Sequence, residues 1–436
     1  MAAAGPIASS APTAADCAAR DAAFTDFDEL RAAFAAGEPG TVYLDANSIG
    51  PMPADAPARL ARLLDDGWRV QRRRGWNDPD WLDGPRRLGA ALAPLIGAGD
   101  RDVLICDTTS VNQYKLLRHA LAVAAPRRVI VAEADVFPTN RYVATGIAHA
   151  GAAELRLLPA PRAEGGAPSR SAALAASLEQ ALAAGDVAVV ALSHVDYRSS
   201  ERLDLAALTA LCHAHGATVL WDLSHSAGAF AIDLAGADAD YAVASGYKYL
   251  CGGPGAPALL YVHPRWQEQA WPAICGWMGH ADTFAFDGEY QPAPGVERQL
   301  AGTPLVVANT VFGAAAEIWC RVDPARLDAR HRSLGDTLIA LLETRCAGHG
   351  LTLASPRAHA ERGGHVAVRH PAAAALGQAL IEDGVVVSVR KPDALRFGAH
   401  PLVTTHRELW TAVERLHAVL ESGRWRDPAL RARAGI

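Results

Sequence analysis

Residues 218–255 read TVLWDLSHSAGAFAIDLAGADADYAVASGYKYLCGGPG, and this stretch decides the fold. Two short apolar runs, TVLW and YAVA, each break off into polar residues. The first gives way to Asp222, Ser224 and His225, the second to Gly246, Tyr247 and Lys248. Runs of four or five apolar residues with abrupt polar ends predict strands buried on both faces. Working outward, DVLICD (102–107), RVIVAE (128–133), ELRLLPA (154–160), VAVVALS (187–193) and ALLYV (258–262) repeat the pattern. Helix-like segments lie between them, at Val111 to Ala124, Ala172 to Ala184 and Asp204 to His215. Alternating strands and helices predict an α/β fold with a mainly parallel sheet. Such sheets bind ligands beyond the carboxyl ends of their strands.

The strand ends carry the chemistry. After DVLICD come Thr108, Thr109 and Ser110, opening a helix; after VAVVALS come His194, Asp196, Tyr197 and Arg198. Lysine occurs only three times, at Lys115, Lys248 and Lys391, against 38 arginines. Where arginine serves for charge, a retained lysine can do what arginine cannot, such as form an imine. Lys248 lies between an apolar strand and the glycine-rich turn 251–255, which suits a desolvated amine. Asp222 suits the partner of a protonated pyridine nitrogen. Thr109 and Ser110 at a helix start suit a phosphate, and His225 suits a ring stacked on a cofactor. Together these groups suit pyridoxal phosphate (PLP). Singly, each has an ordinary explanation: an aspartate or a TTS triplet there is a helix cap, and Lys115 and Lys391 read as solvated ends.

Bulk properties narrow the field. A chain of 436 residues spans two or three domains of ordinary size. The formal charge of −6 is mild and spread out, so nucleic acid and anionic membrane are not expected partners. Seven widely spaced cysteines without a CxxC pair argue against a disulfide framework or zinc ribbon and favour a reducing, cytoplasmic setting. The sixteen histidines show no ligand spacing, so no metal is expected, and His213 and His215 read as surface. No apolar run is long enough for a membrane span. GGPGAP does not open a helix after a first strand, so it is no dinucleotide fingerprint.

The expected organisation is a flexible leader over 1–23, rich in Ala, Ser and Pro, and an N-terminal segment over 24–60 that packs on the small domain. A large PLP-binding domain follows over 61–310 and a smaller C-terminal α+β domain over 311–436. Helices are predicted at Phe24 to Ala36, Ala58 to Arg74, Gly84 to Ile96, Leu305 to Cys320, His331 to His349, Ala372 to Asp383 and His406 to Glu421.

The segments YLDANSIGPMP, DTTSVNQYKLL, VFPTN, LSHVDYRS, LWDLSHSAGAFAIDL, SGYKYLCGGPGAPALLYV, GWMGHA, GTP and LRFGAHPL occur in the order found in kynureninases. From about Tyr43 to the last helix the chain resembles that family, a fold-type I PLP enzyme of the class V aminotransferase group. SGYKYLCGGPGAPALLYV with WDLSHSAGA is the most specific part.

The resemblance implies Lys248 as the Schiff-base lysine, Asp222 as the pyridinium partner and His225 as a cofactor-site histidine. It places Thr109, Ser110, Tyr247, Trp277 and Thr303 on the phosphate side, with Trp277 and Thr303 coming from the second subunit of a homodimer. Phe137 corresponds to the stacked aromatic ring, and Arg396 to the arginine that pairs with the substrate carboxylate. The implied reaction is hydrolytic cleavage of L-kynurenine or 3-hydroxykynurenine to anthranilate or its hydroxy form and L-alanine. Lys248 moves the α-proton and Tyr247 handles protons late in the cycle. Trp76 and His280 are candidates for the aryl pocket.

The chain departs from the family at FPTN, where Asn140 replaces an aspartate near the cofactor, at YRSS (197–200), and at GAHPL, where His400 is expected to reshape the substrate pocket. These departures keep open another class V reaction (an aminotransferase, a desulfurase or a lyase on a modified kynurenine), or a PLP fold without catalysis.

Overall fold

A computed structural model describes residues 12–159, 169–286 and 288–433. Seven strands form the central sheet: β1 Val103–Cys106, β2 Val129–Glu133, β3 Glu154–Leu158, β4 Val187–Ser193, β5 Thr218–Asp222, β6 Tyr241–Ala244 and β7 Ala258–Val262. Their order is β1-β7-β6-β5-β4-β2-β3. The β2–β3, β2–β4, β4–β5 and β5–β6 pairs are parallel, and β7 runs against both its neighbours. Every residue of β1, β2, β4, β6 and β7 is buried, as the unbroken apolar runs predict. One core, with Leu92, Val131, Leu174, Leu178 and Trp221, covers one set of inward side chains; another, with Leu116, Ile130, Leu220 and Leu260, covers the other.

A smaller sheet pairs Thr352–Leu353, Val366–Arg369, Ala394–Phe397 and Ser388–Arg390, all antiparallel. Its own core gathers Val368 and Phe397 from the sheet and Leu338, Leu342, Leu376, Leu409 and Leu416 from the helices Pro324–Arg345, Ala373–Glu382 and His406–Ser422. The two-residue strand Val42–Tyr43 pairs in parallel with Val385–Val386. Among the described residues no helix is long and apolar enough to cross a membrane.

Five expectations are corrected. The stretch read as a flexible leader contains the helix Ala14–Ala22. Thr13 and Asp16 close a capping box at its start, and Cys17 is fully buried in the smaller core. Such a cap contributes about 1 kcal/mol, and the Ala-rich composition favours the helix it opens. Residues 1–11 of that leader lie outside the described set. The helix expected over 24–36 is only Asp28–Ala32 after a tighter turn, and the one expected over 58–74 changes from α to wider π-type turns at Leu63. Lys115 is not a solvated end: it is 1% exposed, with its ammonium 2.7 Å from Asp107 Oδ2 and donating to the Gln299 carbonyl at 2.6 Å. His213 is half-buried, 2.8 Å from the buried Asp240 carboxylate. The expected division at 310 and the packing of 24–60 on the smaller unit are corrected too: the helix Val306–Trp319 runs through 310 and seats Phe312, Ile318 and Trp319 in the core of the large sheet, and Phe27, Leu30 and Phe34 join that core while Val42 and Leu44 join the smaller one.

Candidate active site

The carboxyl ends of β1, β2, β4, β5 and β6 open on a cavity of about 440 Å³. Thr109, Ser110, Phe137, Asn140, Asp222, His225, Tyr247 and Lys248 all line it. Parallel strands bring this about, because consecutive βα junctions then fall on one edge of the sheet.

Lys248 Nζ lies 3.1 Å from His225 Nε2. Burial pushes the Lys248 amine down to about 8; the Asp222 carboxylate partly opposes this, while Arg396 and Arg390 add to it. Burial, then the Lys248 charge, holds His225 well below its ordinary range. The imidazole is therefore neutral and free to accept from the ammonium. The rings of Phe137 and Tyr247 each stand 5.9 Å from Nζ.

Asp222 is fixed from two sides. Asn140 Nδ2 donates to its Oδ2 at 2.7 Å, and the Ser224 N–H donates to its Oδ1 at 2.9 Å. Asn140 also donates to Ser193 Oγ at 3.3 Å, and Gln113 Nε2 donates to the Asn140 carbonyl at 3.1 Å. Both carboxylate oxygens thus act as acceptors. Thr108 caps the helix Thr109–Val123, so the helix start faces the cavity with Thr109 and Ser110. Thr109 Oγ1 lies 3.3 Å from Ser245 Oγ, which donates to Ser224 Oγ at 3.0 Å. Ser245 is a site residue that the sequence reading missed; its place at the end of the YAVAS run was the available signal.

Arg396 is fully buried and reaches the cavity wall through Tyr197, whose carbonyl accepts from Nη1 at 2.6 Å. Ser388 Oγ accepts from Nε and Nη2 at 3.2 and 2.9 Å, and Ser48 Oγ from Nη2 at 3.4 Å. Burial, reinforced by Arg390, brings the guanidinium down to about 10. A buried cation held by neutral oxygens favours an incoming anion. The cavity wall also includes Arg170, whose Nη2 grips the fully buried Glu133 at 2.7 and 2.9 Å. The sequence reading did not single out this pair, because its members are 37 residues apart.

Four expected site residues lie elsewhere in the chain. Trp76 packs edge-on against Trp81 and Trp277, with ring centres 5.3 and 6.3 Å away. Trp76 and Trp277 line a separate hollow with Phe284 and Phe286. His280 bonds to the backbone of Asp282 and Glu289, and Thr303 is exposed. Trp76 and His280 thus do not line the Lys248 cavity of their own chain, since irregular turns outside the sheet carry them. His400 does not line it either: its Nε2 is 3.1 Å from Cys251 Sγ and 2.9 Å from the Tyr249 carbonyl, behind the lysine turn.

The turn is braced from the N-terminal side. The Gly50 N–H donates to the Tyr247 carbonyl at 2.8 Å. A Cβ at Gly50 would stand 2.1 Å from the Lys248 carbonyl oxygen and 2.8 Å from Cys251 Sγ, so only glycine fits.

Residues 327–416 match the family model of the kynureninase C-terminal domain. The chain is 44% identical to a kynureninase of Deinococcus radiodurans over 386 residues, covering 87% of this chain and 90% of that one. It is 41% identical to a kynureninase of Pseudomonas fluorescens over 427 residues, covering 97% and 99%. Among solved structures, the cystine C-S lyase C-DES with its product cysteine persulfide superposes with a TM-score of 0.71 at 20% identity, over 87% of this chain and 98% of that one. A cysteine desulfurase of Thermococcus onnurineus superposes with 0.72 at 16% identity, over 91% and 98%. At those identities the superpositions establish the fold-type I architecture. The extent and identity of the sequence matches establish more: this chain belongs to the kynureninase family.

Proposed function

We propose that the chain hydrolyses the Cβ–Cγ bond of L-kynurenine or 3-hydroxykynurenine, releasing L-alanine and anthranilate or 3-hydroxyanthranilate, with PLP as cofactor. The single observation that carries this is the convergence of Lys248, His225, Asp222 and the Thr109–Ser245 hydroxyls on one cavity, in a chain more than 40% identical to kynureninases along most of its length.

The residues present fit PLP. An amine brought down to about 8 is available to hold an aldehyde carbon. Asp222, held in place by donors from Asn140 and Ser224, suits a protonated pyridine nitrogen. Thr109, Ser110 and the helix start they open suit a phosphate, while Phe137 and His225 are placed to flank a ring. When bound, PLP supplies an electron sink for the carbon next to the amino group.

The remaining work falls to the side chains. Arg396 holds the substrate carboxylate with a forked guanidinium already aligned by Ser388 and the Tyr197 carbonyl. Lys248 takes the α-proton, and His225 at 3.1 Å keeps its amine in place for that transfer. Water adds to the γ-carbonyl, the Cβ–Cγ bond breaks to leave the carboxyl group on the aryl product, and Tyr247 returns a proton to Cβ of the alanine portion. Transfer of sulfur onto the enzyme, as in a desulfurase, would need a thiol facing the substrate, and no cysteine lines this cavity among the described residues.

Trp277 and Thr303 act across a homodimer, each supplied to the cavity of the second copy, and Trp76 and His280 approach the aryl group in the same way. Exposed Trp68 and Val307, and exposed Phe284 and Phe286, flank Trp76 in two adjoining hollows and support such an interface, since large exposed apolar side chains in one region mark association surfaces. The seven free cysteines suit a reducing, cytoplasmic setting.

The test is a product assay with both substrates at saturating PLP. Wild type is expected to release alanine and the matching anthranilate in equal amounts, and Lys248→Ala to release neither. Absence of product from wild type with both substrates overturns the proposal.

A further inference from the structure

The helix Pro324–Arg345 places Asp328 and His331 one turn apart, and the short turn His359–Glu361 lays His359 against them. One carboxylate oxygen and one nitrogen from each ring lie within 4.8 Å of one another. His359 Nε2 is 3.2 Å from both Asp328 oxygens. A tetrahedral zinc ion with bonds of about 2.0–2.1 Å sets neighbouring ligand atoms about 3.4 Å apart. This pair therefore already stands close to coordinating separation.

His331 supplies an independent observation. It is 5% exposed, its Nε2 is 2.8 Å from the Gly363 carbonyl, and its Nδ1 is buried without a hydrogen-bond partner. The carbonyl fixes the proton on Nε2, which leaves a lone pair on Nδ1. Metal-ligating histidines are oriented in this way, with the far N–H on a carbonyl oxygen. Burial, then the neighbouring His359, pushes His331 down to about 3, while the His359 contact lowers Asp328.

We propose that Asp328, His331 and His359 bind one divalent cation of the zinc type, at a site separate from the Lys248 cavity. Two imidazoles and one carboxylate select zinc-like ions over calcium or magnesium, which prefer all-oxygen sets. The surroundings temper the affinity. Arg332 lies 3.7 Å from Asp328, and Arg202 also faces it, whereas Arg362, near His331, is paired with Asp336. An ordinary His–Asp pair accounts for His359 and Asp328; it leaves unexplained the buried, pre-oriented nitrogen of His331.

The site bears on the neighbouring strap. The Gly363 N–H donates to the Ser200 carbonyl at 2.7 Å, the Gly364 carbonyl accepts from Tyr249 at 2.6 Å, and the His365 ring stands 5.6 Å from that of His225. A cation on His331 would therefore stiffen the segment behind the residue that holds Lys248.

The test titrates zinc into chelator-treated holoenzyme by calorimetry. Wild type is expected to take up one equivalent per chain that His359→Ala abolishes and Asp328→Asn weakens. His417→Ala, which alters the other His349, His417 and Glu421 group, should leave that equivalent in place. Cobalt(II) at the site should give nitrogen and oxygen ligand-field bands without thiolate charge transfer, and these too should vanish in His359→Ala. Should His359→Ala not fold, the shape-preserving Asp328→Asn carries the comparison. Equal zinc stoichiometry and affinity in wild type and these variants, or no uptake by wild type, overturns the proposal.

Discussion

Asn140 Nδ2 sits 2.7 Å from Asp222 Oδ2, so an uncharged amide supports the carboxylate from one side. Asn140→Ala removes one of two donors holding Asp222. Losing a hydrogen bond to a charged group costs about 1.5–3 kcal/mol, so PLP affinity of the apoenzyme should fall roughly ten- to a hundredfold. Equilibrium titration with PLP reads this directly; unchanged affinity would show that Asn140 does not position the carboxylate.

Asn140→Asp has a different signature. Two carboxylates at this separation share a proton, so one of them titrates higher in the folded protein than in the unfolded chain. A group raised by folding contributes stability below its unfolded value and loses it as pH rises through the folded one. The apo variant should therefore lose stability relative to wild type between mildly acidic and neutral pH, followed by urea unfolding. A pH-independent difference contradicts the shared-proton account.

The Lys248 amine, ordinarily near 10.5, is brought to about 8 by burial. Between these values the unfolded chain binds a proton that the folded one does not, so stability should rise with pH across that window. Apo wild type should gain on Lys248→Met from pH 8 to 10.5, and the rate of PLP capture should reach half its maximum near pH 8. A capture midpoint near 10 removes the basis for a desolvated amine.

Arg396→Gln keeps a polar amide but shortens the side chain and removes its charge and fork. The substrate carboxylate would then face no cation at that position, a loss of about 3 kcal/mol or roughly a hundredfold in kcat/KM. PLP affinity should stay close to that of wild type. Steady-state kinetics beside a PLP titration separates the two effects.

The Arg170–Glu133 pair is buried at both ends, with 5% and 0% of the side chains exposed. Removing one member leaves a buried charge alone, so Arg170→Met or Glu133→Gln should each destabilise by about 3–5 kcal/mol. The double variant should recover much of that loss, and denaturant unfolding of all three closes the cycle.

The sheet was legible because its strands are unbroken apolar runs, and the cavity was legible because chemistry collects where those runs end. Lys248, Asp222 and Thr109 could be brought together on paper by assuming parallel strands. Lys115 could not, because its neutralising partner Asp107 stands eight residues earlier, on a backbone kink with φ of +46°. The helix Ala14–Ala22 was hidden in alanine-rich sequence, with only Thr13 and Asp16 to mark its start. His400 follows Arg396 closely in sequence, yet it turns toward Cys251 and Tyr249, a contact set by residues about 150 positions away. Trp76 and Trp277 sit on irregular turns, where neither strand nor helix periodicity tells which way a ring faces.

The seating of Gly50 against the lysine turn has a practical consequence. The same short segment that pairs with Val385–Val386 also backs the carbonyls of Tyr247 and Lys248. Trimming the chain to residue 60 for expression would thus remove a wedge from behind the reactive amine, so a shortened protein could keep its sheet and still lose its grip on the cofactor.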